Sequence, residues 1–185
     1  MAMKIAVVGM SDSAKEAPFN TDWKVWGLPW HREFWPRFDR HFEMHELSLI
    51  REHPEVRPKD YEERLKTLPD LYMQEVYKDI PNAKQYPFHI CNYYNSSIAY
   101  MLAMAIYQKP DTIGLWGVDM KAGEEFFYQR PNCEYLLGMA IGNGIEVVVH
   151  DSSPLCKFDG NNIPYGVHKV TYQGRYGCRS QPIQN

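Results

Sequence analysis

Histidine and glutamate alternate in the segment His41-Phe42-Glu43-Met44-His45. If this segment is a strand, alternate side chains point the same way, so His41, Glu43 and His45 share one face. Imidazole and carboxylate groups are suited to moving protons near neutral pH. We therefore predict that His45, at the end of the strand, or Glu43 acts as a general base. For His45 the alternative is a structural or surface role.

A second candidate is the polar triplet Asn95-Ser96-Ser97, which precedes the strongest helical pattern of the chain. The first turn of a helix has unpaired N–H groups and a partial positive charge, and both favour an anion such as a phosphate. Simple capping of the helix needs only one of these three side chains. The triplet therefore predicts a phosphate-binding helix start, with capping alone as the alternative.

Acidic and basic candidates follow an apolar segment that ends at Asp119. At the carboxyl end of a buried strand, this carboxylate could hold a ribose hydroxyl, a metal or a proton, so we predict a catalytic or binding role. Tyr128 and Arg130 come shortly after it, and an arginine can grip a phosphate with two parallel hydrogen bonds. The alternative is a solvated loop followed by a helix that has Pro131 in its first turn.

The first loop of the chain, Gly9-Met10-Ser11-Asp12-Ser13, is rich in backbone and hydroxyl donors. Gly9, Ser11 and Ser13 could cradle a phosphate, although neither G-x-G-x-x-G nor a P-loop motif is present. A plain turn is the alternative. Trp26 lies at the end of the next apolar segment, where its ring could stack on a base or sugar or simply join the core.

Apolar runs alternate with helical patterns along the chain, which is typical of an α/β fold with a mostly parallel sheet. In such sheets, ligands bind at the carboxyl ends of the strands, so the loops after the strands are the candidate site. Strands are predicted at residues 4–8, 23–27, 41–45, 71–73, 83–86, 112–119 and 146–150. Helices are predicted at residues 58–68, 96–108 and 132–141.

Length and composition indicate one globular protein. At roughly 150 residues per domain, 185 residues predict a Rossmann-like domain over residues 1–150, with an irregular tail, 151–185, packed on it. The formal charge of −3 gives no strong nucleic-acid signal. No signal peptide or membrane span is expected, and the four scattered cysteines are expected to be free in a cytoplasmic protein. No cofactor is predicted, because no metal-ligand spacing is present.

Two resemblances extend this reading. The run from Ser96 to Tyr107, followed by Ile113-Gly114-Leu115-Trp116-Gly117-Val118-Asp119, resembles the nucleotide-binding part of bacterial CMP-sialic-acid-dependent sialyltransferases. The resemblance implies that Asn95, Ser96 and Ser97 contact the nucleotide. It also implies that Gly117 and Asp119 form the floor of the site and that Tyr128 stabilises a phosphate. Residues 3–150 also resemble a group of small uncharacterised tailed-phage proteins, through motifs such as Trp26-Gly27 and Phe42-Glu43-Met44-His45.

Three functions fit these residues. The first is a glycosyltransferase-like enzyme that acts on a nucleotide-linked sugar or a nucleoside. The second is a phage-type protein that binds a nucleotide, or a signalling molecule derived from one, without turning it over. The third is an enzyme like an N-glycosidase or deoxyribosyltransferase, which needs a carboxylate nucleophile. For a phage-encoded chain, the predicted location is the host cytoplasm.

Overall fold

The computed structural model describes residues 2–30, 35–87, 89–120 and 124–156, with the side chains of all of these except 124–127. The predicted tail therefore lies outside the described residues from position 157 onward. The strands within these ranges are β1 (Lys4–Val8), β2 (Lys24–Gly27), β3 (Arg40–Glu43), β4 (Leu71–Met73), β5 (Lys84–Gln85), β6 (Thr112–Trp116) and β7 (Glu146–Val149). The α-helices are α1 (Leu47–Glu52), α2 (Tyr61–Leu65), α3 (Ser97–Gln108) and α4 (Glu124–Gly142).

The seven strands of the described residues form one parallel sheet in the order β5-β4-β3-β2-β1-β6-β7. The chain moves outward from β1 to β5 and then returns through α3 to place β6 on the other side of β1. Strand order therefore reverses between β1 and β6, which is where sheets of this kind open a crevice for ligands. The predicted single Rossmann-like α/β domain is confirmed.

Alternating side chains cover both faces of the sheet. Ile5 and Val7 of β1 pack in the cluster that includes α3 and α4, whereas Ala6 and Val8 pack with Ala14 on the opposite face. Burial on both faces explains why β1 reads as a continuous apolar run rather than an alternating one.

Helices α1 and α2 cover the face of the sheet opposite to α3 and α4. Phe42 of β3 pairs with Tyr72 of β4, their rings stack at 5.7 Å, and both pack against the cluster that contains α3. Leu71 and Met73 point the other way and pack with the α1 and α2 side chains. Residue 43, next to Phe42 on β3, therefore faces the α2 side.

Several boundaries differ from those predicted. Strand β3 ends at Glu43, so His45 lies in the loop that follows it. The helix predicted over residues 132–141 begins at Glu124 and contains Pro131 in its interior. A proline inside a helix costs about 3 kcal/mol, and burial of Cys133, Leu136, Leu137 and Ala140 further along the helix offsets that cost. Helix α1 was not predicted, since only Leu47 and Ile50 of its six residues are buried.

None of the described helices has the length and apolar character needed to cross a bilayer.

Candidate functional site

A cavity of about 570 Å³ opens at the carboxyl edge of the sheet. Its volume falls within the roughly 300–1,000 Å³ of small-molecule sites. Loops after β1, β2, β3 and β6 line it, together with the start of α3 and the segment from α1 to α2. Nine predicted site residues line the cavity: Gly9, Ser11, Glu43, His45, Asn95, Ser96, Ser97, Gly117 and Asp119.

The floor of the cavity is backbone rather than side chain. The N–H of Gly9 donates to the Trp116 carbonyl at 2.8 Å, and the N–H of Ser11 donates to the Gly117 carbonyl at 2.9 Å. A Cβ atom added to Gly9 would lie 2.3 Å from the Gly117 oxygen, so the two loops can approach this closely only with glycine. Gly117 also has a positive φ of 67°, which favours glycine. The loops after β1 and β6 are thereby joined at the point where strand order reverses.

The start of α3 is held in place by capping and by α4. The Ser96 hydroxyl accepts a hydrogen bond from the Ala99 N–H at 3.1 Å, which makes Ser96 the N-cap. The fully buried Asn132 side chain accepts from the Asn95 N–H at 3.4 Å and donates to the Tyr93 carbonyl. The Ser97 hydroxyl has no hydrogen-bond partner among the described residues. One predicted serine is therefore used in capping, while the next lines the cavity with an available hydroxyl.

Glu43 and His45 form a hydrogen-bonded pair in the cavity wall. Glu43 is 4% exposed. Its Oε1 atom lies 2.5 Å from the His45 Nδ1 atom and accepts from the His45 backbone N–H at 3.0 Å. The Tyr61 hydroxyl donates to the second carboxylate oxygen. The His45 side chain is 47% exposed and lines the cavity.

The charge of Glu43 sets the proton positions in this pair. Burial alone raises the pKa of Glu43, but hydrogen bonds and the His45 charge, with the bond from Tyr61, hold that pKa below its usual range. Burial, with the Glu43 charge, raises the pKa of Tyr61, so its hydroxyl keeps its proton and donates. An ionised Glu43 accepts from Nδ1–H of His45, and in the neutral tautomer that this hydrogen bond selects, Nε2 is the proton acceptor. A buried carboxylate thus orients an imidazole that reaches the cavity.

Replacement of Glu43 by glutamine is expected to lower the free energy of unfolding at pH 7 by about 2 kcal/mol, because bonds to a charged acceptor are lost. The folded pKa of Glu43 lies below the unfolded value, so unfolding takes up a proton between the two. The Glu43 contribution is therefore present above the unfolded pKa and is lost as pH falls through the folded pKa. Denaturant unfolding of both proteins, measured from pH 7 to pH 3.5, should show their difference shrinking under acid.

Glu46→Gln is the matched control, since Glu46 is exposed and its side chain accepts only from Ser48 at 3.3 Å among the described contacts. Its effect on unfolding should be small at every pH. A Glu43→Gln difference that stays constant across the same pH range would contradict the ionised, hydrogen-bonded state assigned to Glu43.

Four predicted residues lie outside the cavity lining. Trp26 is 1% exposed and is a core residue, because its position on β2 turns the ring toward Phe42, 5.5 Å away, and under Arg40, 4.7 Å away. It offers no open face for stacking, and that prediction is wrong. Ser13 is 3% exposed, and its hydroxyl accepts from the Gly117 N–H at 2.9 Å. Ser13 therefore holds the Gly117 backbone in place without lining the cavity itself.

Tyr128 and Arg130 of α4 are the other two. The Tyr128 side chain is 65% exposed, and its carbonyl accepts from the Asn95 side chain. Arg130 pairs with Glu134 at 2.9 Å and donates to the Pro154 carbonyl at 2.8 Å. Because α4 extends seven residues before Pro131, both positions are helical rather than part of a loop over the site.

The cavity residues that were not predicted include four with aromatic or charged side chains, Trp30, His53, Arg57 and Tyr61. Trp30 follows β2 and lines the cavity where Trp26 had been expected. Arg57 and Tyr61 belong to the connection between β3 and β4. The sequence indicates these residues only through their position after β3. A segment that follows a parallel strand starts at the carboxyl edge of the sheet, where ligands bind.

No group of three or more His, Cys, Asp or Glu side chains suited to holding a metal occurs in the described part of the chain. Asp119 lines the cavity near the carboxyl end of β6, and the described residues give it no cluster of further acidic or imidazole ligands. The chemistry available in the cavity from the described residues is therefore that of hydrogen-bond donors, carboxylates, the two imidazoles of His45 and His53, and an arginine.

The resemblance to sialyltransferases and to tailed-phage proteins stays a prediction. Of the residues that it singles out, five line the cavity, namely Asn95, Ser96, Ser97, Gly117 and Asp119, whereas Tyr128 does not. The chain matches no protein-family model, no curated protein and no solved structure.

Proposed function

We propose that the protein is a glycosyltransferase-like enzyme that acts on a nucleotide-linked sugar or a nucleoside. The observation that carries the proposal is the meeting, in one cavity, of the α3 start with the Glu43–His45 pair. The first suits a phosphate and the second suits removal of a proton from a hydroxyl. The cavity also lies where strand order reverses, which is the usual ligand position in this architecture.

The nucleotide is proposed to lie against α3 and the backbone floor. N–H groups of the first turn of α3, together with the hydroxyl groups of Ser97 and Ser11, would bind its phosphate oxygens. The floor formed by Gly9 and Gly117 has no side chain to keep a ligand away from the backbone. Asp119, at the same edge, would accept hydrogen bonds from ribose hydroxyls.

The proposed reaction transfers the sugar to an acceptor hydroxyl. The acceptor oxygen attacks the anomeric carbon as the bond from that carbon to the nucleotide phosphate oxygen breaks. The proton of the hydroxyl passes to Nε2 of His45, and the bonding electrons leave with the phosphate. Glu43 stabilises the imidazolium that forms, and the start of α3 stabilises the negative charge on the departing nucleotide.

Both oxygens of Glu43 already accept hydrogen bonds, from His45 and from Tyr61. A carboxylate nucleophile needs a free oxygen directed at the substrate carbon, so Glu43 suits the positioning of His45 better than direct attack. For Glu43, this geometry favours a role in transfer to an acceptor over that of nucleophile in the N-glycosidase alternative.

The proposal is tested by incubating the full-length protein with a panel of nucleotide-linked sugars and nucleosides, with and without Mg²⁺, and separating the products by chromatography. Nucleotide release from at least one donor, increased by an acceptor alcohol, is the expected result. Nucleotide binding by calorimetry without release from any donor would instead favour the binding protein. Release of free base from a nucleoside would favour the N-glycosidase-like alternative.

A further inference from the structure

The cavity receives side chains from both faces of the sheet. Ser96 and Ser97 enter from the face covered by α3, whereas Arg57 and Tyr61 enter from the face covered by α2. A ligand that fills the cavity thus meets two different walls. The α3 wall presents N–H and hydroxyl donors, and the α2 wall presents a cation beside aromatic rings.

Arg57 is a cation without an acidic partner in the described residues. Its guanidinium carbon lies 5.5 Å from the centre of the Trp30 ring and 5.6 Å from the centre of the Tyr61 ring. Its Nε atom is buried and has no hydrogen-bond partner in the same part of the chain. Arginine stays protonated at all physiological pH values. The aromatic contacts compensate part of the cost of withdrawing this charge from water, and a bound anion would compensate more.

Arg57 is linked through Tyr61 to the hydrogen-bonded pair formed by Glu43 and His45. Tyr61, whose ring contacts the guanidinium, donates to Glu43, which in turn accepts from His45. A molecule held by Arg57 would therefore lie on the α2 side of the same cavity that the His45 imidazole lines. The nucleotide phosphates are assigned to the opposite, α3 side.

We propose that Arg57 forms a second subsite, which binds the carboxylate or phosphate group of an acidic acceptor. The planar guanidinium matches either oxyanion with two parallel hydrogen bonds, and the Trp30 ring supplies an apolar surface next to it. The inference of an anion site depends only on the contacts of Arg57. The assignment of its ligand as an acceptor rests on the proposed function.

Three probes of similar shape test the subsite: phenyl phosphate, benzoate and neutral benzyl alcohol. Their binding to the full-length protein is measured by NMR titration that follows the Nε–H signal of Arg57. We expect both anions to shift this signal and to bind more tightly than benzyl alcohol. In Arg57→Gln the affinity for the anions should fall about tenfold or more, because a charge-assisted pair is lost. Arg57→Lys should retain more of it.

Lys59→Gln is the charge-matched control, since Lys59 is exposed, lies two residues away and does not line the cavity. The subsite is overturned if Arg57→Gln leaves anion affinity unchanged, or if Lys59→Gln lowers it equally. Should Arg57→Gln fail to fold, the Nε–H signal of the wild-type protein decides, because an anion that leaves it unmoved does not bind there.

Saturation with a nucleoside diphosphate separates this inference from the proposed function. If phenyl phosphate still binds at Arg57, the two subsites are distinct; if the nucleotide displaces it and itself shifts the Arg57 signal, the second subsite is overturned. If no donor is turned over while the anions still bind through Arg57, the proposed transfer fails and the anion site stands.

Discussion

His45→Asn is expected to slow nucleotide release from the active donor by about 10²–10⁴-fold, the usual contribution of a positioned general base. The loss should fall on kcat, because His45 is proposed to act on the acceptor hydroxyl rather than to bind the nucleotide. Release rates by chromatography and nucleotide affinity by calorimetry, measured on the same preparation, separate the two effects. The backbone N–H of residue 45 still donates to Glu43 in the variant, so the buried carboxylate keeps a partner.

His150→Asn is the matched control for that substitution. His150 also contacts a glutamate, with its Nε2 atom 3.0 Å from the Glu16 carboxylate, but it does not line the cavity. Release by this variant should stay within a few-fold of wild type. Equal losses in the two variants, or full activity in folded His45→Asn, would show that His45 is not the base.

Ser97→Asp is expected to lower the affinity for the nucleotide by nearly three orders of magnitude. The substitution places a fixed negative charge where we propose a phosphate. At an effective dielectric of about 20, two like charges about 4 Å apart repel by roughly 4 kcal/mol. The fold should persist, because an acidic residue in the first turn of a helix is favourable and Ser96 remains the N-cap. Calorimetric titration with a nucleoside diphosphate measures the effect.

Ser97→Asn serves as the uncharged control, since it has nearly the same size as the aspartate variant. It should cost far less affinity than Ser97→Asp. If both variants lose the same amount, the effect is steric; if neither loses any, the phosphate does not lie at the start of α3. Raising the salt concentration should reduce the Ser97→Asp effect, as expected for a partly exposed charge.

The sequence predicted the fold because its signals are local. Residues 4–8 and 112–116 are apolar without alternation, as strands buried on both faces require, and the helix over 97–108 shows both its apolar spacing and its cap at Ser96. From a parallel sheet it follows that the loops after the strands meet at one edge. The start of α3 and the loops after β1 and β6 do meet there, around one cavity.

Local patterns do not tell which side chain of a loop faces the cavity. Ser11 and Ser13 read alike in the sequence, yet Ser13 turns inward to accept from Gly117, whereas Ser11 lines the cavity. Likewise Trp26 is fixed in the core by its place on a strand, and Trp30 reaches the cavity from the following loop. These orientations depend on loop dihedral angles and on the partner that each side chain finds.

By itself, then, the sequence determined an α/β fold with a mostly parallel sheet, and it predicted the carboxyl edge of that sheet as the place for a ligand. It predicted Glu43 and His45 on one strand face, whereas the structure ends β3 at Glu43 and pairs the two side chains at the start of the following loop. Only the tertiary structure brought Tyr61 to Glu43 and Arg57 to the cavity. The physical reason is the separation along the chain of the residues that interact. Strand and helix patterns reflect the burial of neighbouring residues, whereas the Tyr61–Glu43 bond joins positions 18 apart and forms only after α2 packs on the sheet.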